Sequence, residues 1–283
     1  MGKIILGDAL SVLPTLAEGF ADLVYVDPPF NTGHVQERKR IKTTRNDGEG
    51  TRKGFGGAKY VTTAVSTSSY ADQFDDYLAF LMPRLEAAVR CLTKVGSLFV
   101  HLDFREVHYV KVALDQMLGR ASFINEIIWA YDYGARSRSK WSAKHDTILW
   151  YARDPKQYIF NYESIDRIPY MAPELVGPEK AARGKTPTDV WWNTIVPTNG
   201  KERTGYATQK PLAIVRRIVR VHSRPGGTVL DCFAGSGTTG EAAAIEGREF
   251  VLIDKSEEAV AVMKARLAPY DLTFKFRRDS GSA

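Results

Sequence analysis

The sequence predicts an α/β fold built on a doubly wound, mostly parallel sheet. Apolar runs of strand length alternate with segments of helical apolar spacing, the pattern of successive βαβ units. One such unit carries a glycine-rich turn between its strand and its helix. With 283 residues and 44% hydrophobic content, the chain can bury a core of the size such a sheet needs.

From the start, KIILGD and DLVYVD read as short buried strands, separated by a helix over ALSVLPTLAEG that a proline interrupts. DDYLAFLMPRLEAAVRCLTKVG has helical spacing and is expected to end at Gly96. SLFVHL follows as a strand, REVHYVKVALDQMLG as a helix closed by Gly119, and INEIIWAY and HDTILWYAR as further strands. From residue 154 to 206 the periodicity dissolves into a proline- and glycine-containing stretch with the pair Trp191 and Trp192. So long an irregular stretch in a compact domain is usually functional or disordered. Alternation then resumes: KPLAIVRRIVRVHS is a helix, TVLDCF a strand, TTGEAAAIEG a helix, EFVLID a strand and SEEAVAVMKARLAPY a helix.

Between the second strand and the first long helix lies HVQERKRIKTTRNDGEGTRKGFGGAK, with eight Lys or Arg against three acids and almost no apolar residue. It reads as a flexible basic loop over residues 34–66, suited to order on phosphate. The net charge of +6 points the same way, toward a polyanionic partner. Nothing is long and apolar enough to span a membrane. MGKIILGDAL has no leader pattern and fits poorly as a myristoylation start. The two cysteines, Cys91 and Cys232, lie in apolar contexts, so a reduced cytoplasm is expected. No histidine or cysteine has metal-ligand spacing, and no metal is proposed.

Two short stretches carry chemistry. The first strand pair ends in Asp27-Pro28-Pro29-Phe30, where successive prolines stop the ladder and stiffen a non-helical turn. That turn presents a carboxylate, proline carbonyls and a ring together. The second is TVLDCFAGSGTTGEAAAIEGREFVLID, in which Gly235, Gly237 and Gly240 satisfy GxGxxG after a strand and into a helix. Asp254 ends the next strand, where a carboxylate can accept from ribose hydroxyls. A dinucleotide and S-adenosylmethionine (SAM) both fit this pattern. Asp231, directly before FAGSG, suits the cationic amino-acid end of SAM and would repel a pyrophosphate.

Together these stretches resemble the amino-group DNA methyltransferases, and the resemblance covers nearly the whole chain. Asp27-Pro28-Pro29-Phe30 matches the family's catalytic motif. Asp231-Cys232-Phe233-Ala234-Gly235-Ser236-Gly237 matches its cofactor motif, with Cys232 where many relatives have proline. Thr208-Gln209-Lys210-Pro211 and Gly7-Asp8 match shorter elements, and GSLFVHLD and KHDTILWYAR also look like this family. The catalytic motif comes first, as in the permuted β-class.

The resemblance implies a Rossmann-like SAM-methyltransferase sheet formed by residues 1–153 and 207–283, with target recognition over 154–206. It implies that Asp27, Pro28, Pro29 and Phe30 are catalytic. Asp8, Lys210, Pro211, Asp231, Phe233, Ala234, Gly235, Ser236, Gly237, Thr238 and Asp254 would hold the cofactor, SAM. Asp8 reads equally well as a helix cap. The acidic DPPF form leans to adenine N6 in duplex DNA, a serine in place of Asp27 to cytosine N4. A catalytically inactive DNA-binding relative is the rival from another class. Partners implied are duplex DNA and, in a restriction–modification setting, an endonuclease; a homodimer is compatible. The host would be a bacterium or phage, and the compartment the cytoplasm.

Overall fold

The computed structural model describes residues 1–45, 52–53, 59–134, 136–197, 199–270 and 273–279. The chain divides into two compact units, one of residues 1–28 with 76–283 and one of residues 29–75.

The larger unit is a nine-stranded sheet with helices. Its strands are β1 (Gly2–Leu6), β2 (Ala21–Val26), β6 (Leu92–Leu102), β7 (Phe123–Ala130), β8 (His145–Ala152), β9 (Val190–Trp192), β10 (Thr228–Asp231), β11 (Glu249–Asp254) and β12 (Phe274–Arg278). They lie in the order β12-β1-β11-β10-β2-β6-β8-β7-β9. From β12 to β6 every pairing is parallel. β8 runs antiparallel to both β6 and β7, and β9 is parallel to β7. The sheet is therefore mostly parallel, as expected, with one strand reversed. That reversal puts the β7–β8 connection at the same edge as the C-terminal ends of β2 and β6, since Leu102 pairs with Thr147 and Ala130 with His145.

The helices are α1 (Ala9–Val12), α2 (Tyr77–Arg90), α3 (Val107–Leu118), α4 (Pro178–Arg183), α5 (Leu212–His222), α6 (Thr238–Ile245) and α7 (Glu257–Leu267). α5, α6 and α7 pack in succession, as do α1, α2 and α3, giving two helical groups. The first group shares a core with alternate strand residues, including Ile4, Leu23, Tyr25, Phe99, Ile148 and Phe250. Period-two alternation sends Val24, Val26, Leu98 and Val100 to the opposite face, where they are also buried. Burial on both faces is what makes these runs continuously apolar.

Several boundaries differ from the sequence reading. α2 stops at Arg90 and LTKVG opens β6, because Leu92 already pairs with Ala21 across the β2 register. The first helix is one α turn followed by a 3-10 turn at Leu13–Thr15, which begins beside Pro14. The irregular segment contributes β9 to the sheet edge, and β12 extends the opposite edge. Neither has the length to leave a periodic signal.

The smaller unit corrects the expectation of a basic loop. β3 (His34–Arg45) pairs antiparallel with β5 (Lys59–Asp72), and β4 (Arg52–Lys53) adds a third short strand. Charge dominates the reading of the first half, but YVTTAVSTSSY in the second is rich in β-branched and aromatic residues. Pairing also satisfies the backbone groups that a loop would leave to water. At the base of this ribbon, Asp72 accepts from Asn31 N at 2.8 Å and from Thr32 Oγ1 at 2.6 Å. Asn31 sits in the left-handed region at φ 54°, where an Asn is tolerated, and its side chain accepts from Phe74 N.

Candidate functional site: a glycine turn and an acid at one sheet edge

Four acids follow neighbouring strands of the larger unit. Leu6 pairs with Asp254, Asp231 with Leu252 and Val24 with Leu230, so the ends of β1, β11, β10 and β2 are adjacent. Asp8, Asp254, Asp231 and Asp27 thus share the carboxyl edge of the parallel strands, where open α/β sheets bind ligands.

The turn after β10 is built around Asp231, which is 2% exposed. Its carboxylate accepts from Phe233 N at 2.9 Å and from Thr239 Oγ1 at 2.6 Å. It forms no ion pair among the described residues. Burial pushes its pKa up to about 7 against the pull of those two hydrogen bonds, and Asp27 and Asp254 add to the rise. An acid so placed matches a ligand cation. Gly235 and Gly237 are left-handed, at φ 46° and 75°, and Gly235 N donates to Asp254 Oδ2 at 2.8 Å. A Cβ on Gly235 would come within 3.1 Å of the Tyr206 ring. At Gly240 a Cβ would meet Leu252 Cδ1 at 2.6 Å, so a side chain there would require Leu252 or the helix to shift. Asp254, raised by burial in the same way, also accepts from Ser256 N. A buried acid with no ion pair among the described residues, a second acid at the next strand end and glycine backbone between them are groups that could hold a cofactor such as SAM.

Lys210, expected beside the cofactor, also meets the catalytic-motif acid. Its Nζ lies 2.7 Å from Asp27 Oδ1, with the two side chains 11% and 16% exposed. The bracket before α5 aims it there. Gln209 accepts from Thr204 N and Oγ1, both at 2.8 Å, and donates to the Glu202 carbonyl at 2.7 Å. Glu202 in turn accepts from Leu212 N, while Pro211 caps the helix. Thr238 Oγ1 reaches the Lys210 carbonyl at 3.3 Å and Ser236 Oγ at 3.0 Å, stitching the bracket to the glycine turn. Asp27 Oδ2 takes no hydrogen bond among the described residues.

Asp8 caps α1 by accepting from Leu10 N and is held by both oxygens on Arg84 Nη2, at 2.9 and 3.1 Å. Arg84 also covers the ring of Phe80, which meets Phe233 edge-on at 6.0 Å. Ala234 is buried, its N–H donating to the Ile253 carbonyl. Pro28 closes the larger unit and is buried; Pro29 and Phe30 belong to the smaller.

One group the sequence reading missed lies beneath Asp27. Tyr25, two residues earlier on β2, contacts His101 Nδ1 at 2.7 Å, and His101 Nε2 contacts Asp146 Oδ2 at 3.1 Å. Tyr131 donates to the other Asp146 oxygen at 3.0 Å. Burial and the nearby Asp27 carboxylate hold Tyr25 well above its ordinary pKa, so it stays a neutral phenol. Its only trace in the sequence is a histidine and an acid inside otherwise apolar strands, His101 of SLFVHL and Asp146 of HDTILWYAR.

The chain is similar to known DNA methyltransferases. The chain is 29% identical over 265 residues to the Type II methyltransferase M.HpaI of Haemophilus parainfluenzae, covering 94% of this chain and 74% of that protein. It is 27% identical over 277 residues to the DNA adenine methyltransferase YhdJ of Escherichia coli K12, covering 93% and 82%. The fold matches M1.HpyAVI in complex with SAM, with TM-score 0.60 at 19% identity over 94% of this chain and 99% of that one. It also matches the cytosine-N4-specific PvuII DNA methyltransferase, with TM-score 0.62 at 16% identity over 96% and 88%. Residues 21–265 match the DNA methylase family of N6 and N4 enzymes. The chain therefore belongs to the N6/N4 DNA methylase family, whose methyl donor is SAM.

Proposed function

We propose that this DNA methyltransferase moves the methyl group of SAM to adenine N6 in duplex DNA, by direct transfer to a flipped base. The observation that carries the reading is the state of Asp27: one carboxylate oxygen is fixed by Lys210 and the other takes no partner among the described residues. An exocyclic amine is a poor nucleophile because its lone pair is delocalised into the base. Accepting its N–H at Asp27 Oδ2 and the Pro28 carbonyl would draw the nitrogen toward tetrahedral geometry and localise that pair. Proline and the Lys210 contact hold the acceptors still, so little reorganisation accompanies reaction. Phe30 takes the role of a stacking surface for the base, which partly compensates for lost stacking in the duplex. SAM supplies an electrophilic methyl when bound, and Asp231 and Asp254 orient it. Transfer would break the sulfur–methyl bond as the nitrogen–methyl bond forms, leaving S-adenosylhomocysteine, and the extra proton of the methylated amine would pass to solvent.

The relative named as an adenine methyltransferase supports N6. The PvuII likeness is one of fold and does not favour either base. The test is to incubate the protein with labelled SAM and varied duplexes, then digest to nucleosides. Labelled N6-methyladenine is expected. Label in N4-methylcytosine would overturn the adenine assignment, and no label despite SAM binding would overturn the enzyme reading. Asp27→Ala should lower transfer by at least a hundredfold while SAM affinity changes little.

A further inference from the structure

The connection between β7 and β8 carries a second cluster of DNA-like chemistry. Residues 132–144, DYGARSRSKWSAK, hold four Lys or Arg against one acid, with aromatic residues between them. Asp132 is paired with Arg136 at 2.6 Å. Arg138 and Lys140 are exposed and form no ion pair among the described residues. Ser137 N donates to Ser142 Oγ at 2.8 Å and Lys140 N to Ser137 Oγ, which closes the loop and puts Arg138, Lys140 and Trp141 at its tip. Trp141 is 98% exposed. A large amphipathic ring held wholly in water beside unpaired cations has a cost in solvent and no packing return.

The position of the loop decides its partner. The reversed strand β8 places it at the sheet edge where Asp27 follows β2, within the same unit. We infer that this loop grips the duplex beside the methylation site, with Arg138 and Lys140 on backbone phosphates and Trp141 stacked on a base face exposed by flipping. Cations that track the backbone, interleaved with an aromatic platform, are what unstacked nucleic acid requires. The inference rests on the proposed action on duplex DNA, and it assigns to this loop a role separate from residues 34–66 and 154–206.

The test uses the whole protein and three variants: Arg138→Ala with Lys140→Ala, Trp141→Ala, and Lys94→Ala at the far end of β6 as a control. Binding to a fluorescent mixed-sequence duplex is followed across salt concentration. Loss of two phosphate contacts should lower the log–log salt slope by about 1.8 in the double variant. Lys94→Ala should keep the wild-type slope. Trp141→Ala should lower kcat/KM on unmethylated bacterial genomic DNA about tenfold. SAM binding by calorimetry should stay unchanged in all three. A wild-type salt slope in the double variant overturns the phosphate grip, and full turnover by Trp141→Ala overturns the stacking. If the wild-type protein itself transfers no methyl to DNA, the proposed function fails instead, and the salt slopes still report on the loop.

Discussion

Asp231 ends β10 as a buried acid with no cation beside it among the described residues, so its charge is costly until a ligand supplies one. Its pKa near 7 lies well above the ordinary carboxylate value. A folded-state pKa raised in this way makes a stability contribution that is full below the unfolded pKa, near 4, and is lost as pH rises through about 7. Binding has the opposite sense. A ligand ammonium, with an ordinary pKa of roughly 8, stays charged below that pH, while Asp231 becomes neutral. SAM affinity should therefore weaken by up to about tenfold per unit as pH falls below 7, because one proton must leave on binding. Calorimetry at several pH values checks this. Asp231→Asn should flatten the profile and bind SAM weakly throughout; a variant with the same slope would remove Asp231 from the ammonium site.

At the scale of elements, the junction of α6 with β11 sets the glycine turn. Gly240 lets the helix approach Leu252, and a larger residue would have to push the helix away or distort the leucine. Gly240→Val should cost about 1–3 kcal/mol, from overpacking and a poorer helix former. The readout is a lower chemical-denaturation midpoint with unchanged slope; an unshifted midpoint would show that the junction yields freely. This junction was legible in the sequence, because a strand, three spaced glycines and a helix each carry a local signal. So was the edge acid Asp254. The contact of Lys210 with Asp27 was not legible, because it bridges residues far apart in the chain, and only the parallel pairing of β10 with β2 brings those regions together. The Tyr25, His101 and Asp146 group was hidden for the same reason: each polar residue looked isolated within its own apolar strand. The β3–β5 ribbon was misread because charge suggests solvent, although pairing costs charged residues little when alternate positions can face water.

Across the whole molecule, the two ends of the chain are interleaved in one sheet. β10 and β11 lie side by side, flanked by β2 on one side and β1 on the other, with β12 beyond β1. The glycine turn, for all its local character, stands on strands whose partners come from the first few tens of residues. A fragment of residues 207–283 would keep the turn, α5, α6 and α7. It would expose one side of β10 and of β11, and lose the Leu23, Tyr25 and Ile4 side chains from the core that these helices share. Two unpaired edges and an open apolar face are a poor basis for independent folding. Expressed alone, this fragment should lack a cooperative thermal transition and bind no SAM. The full chain should gain thermal stability with SAM concentration, by RT ln(1 + [L]/Kd). A fragment that bound SAM with the affinity of the full chain would place the cofactor site in the C-terminal βαβ unit alone. The interleaved strands would then serve only to bring Asp27 to it.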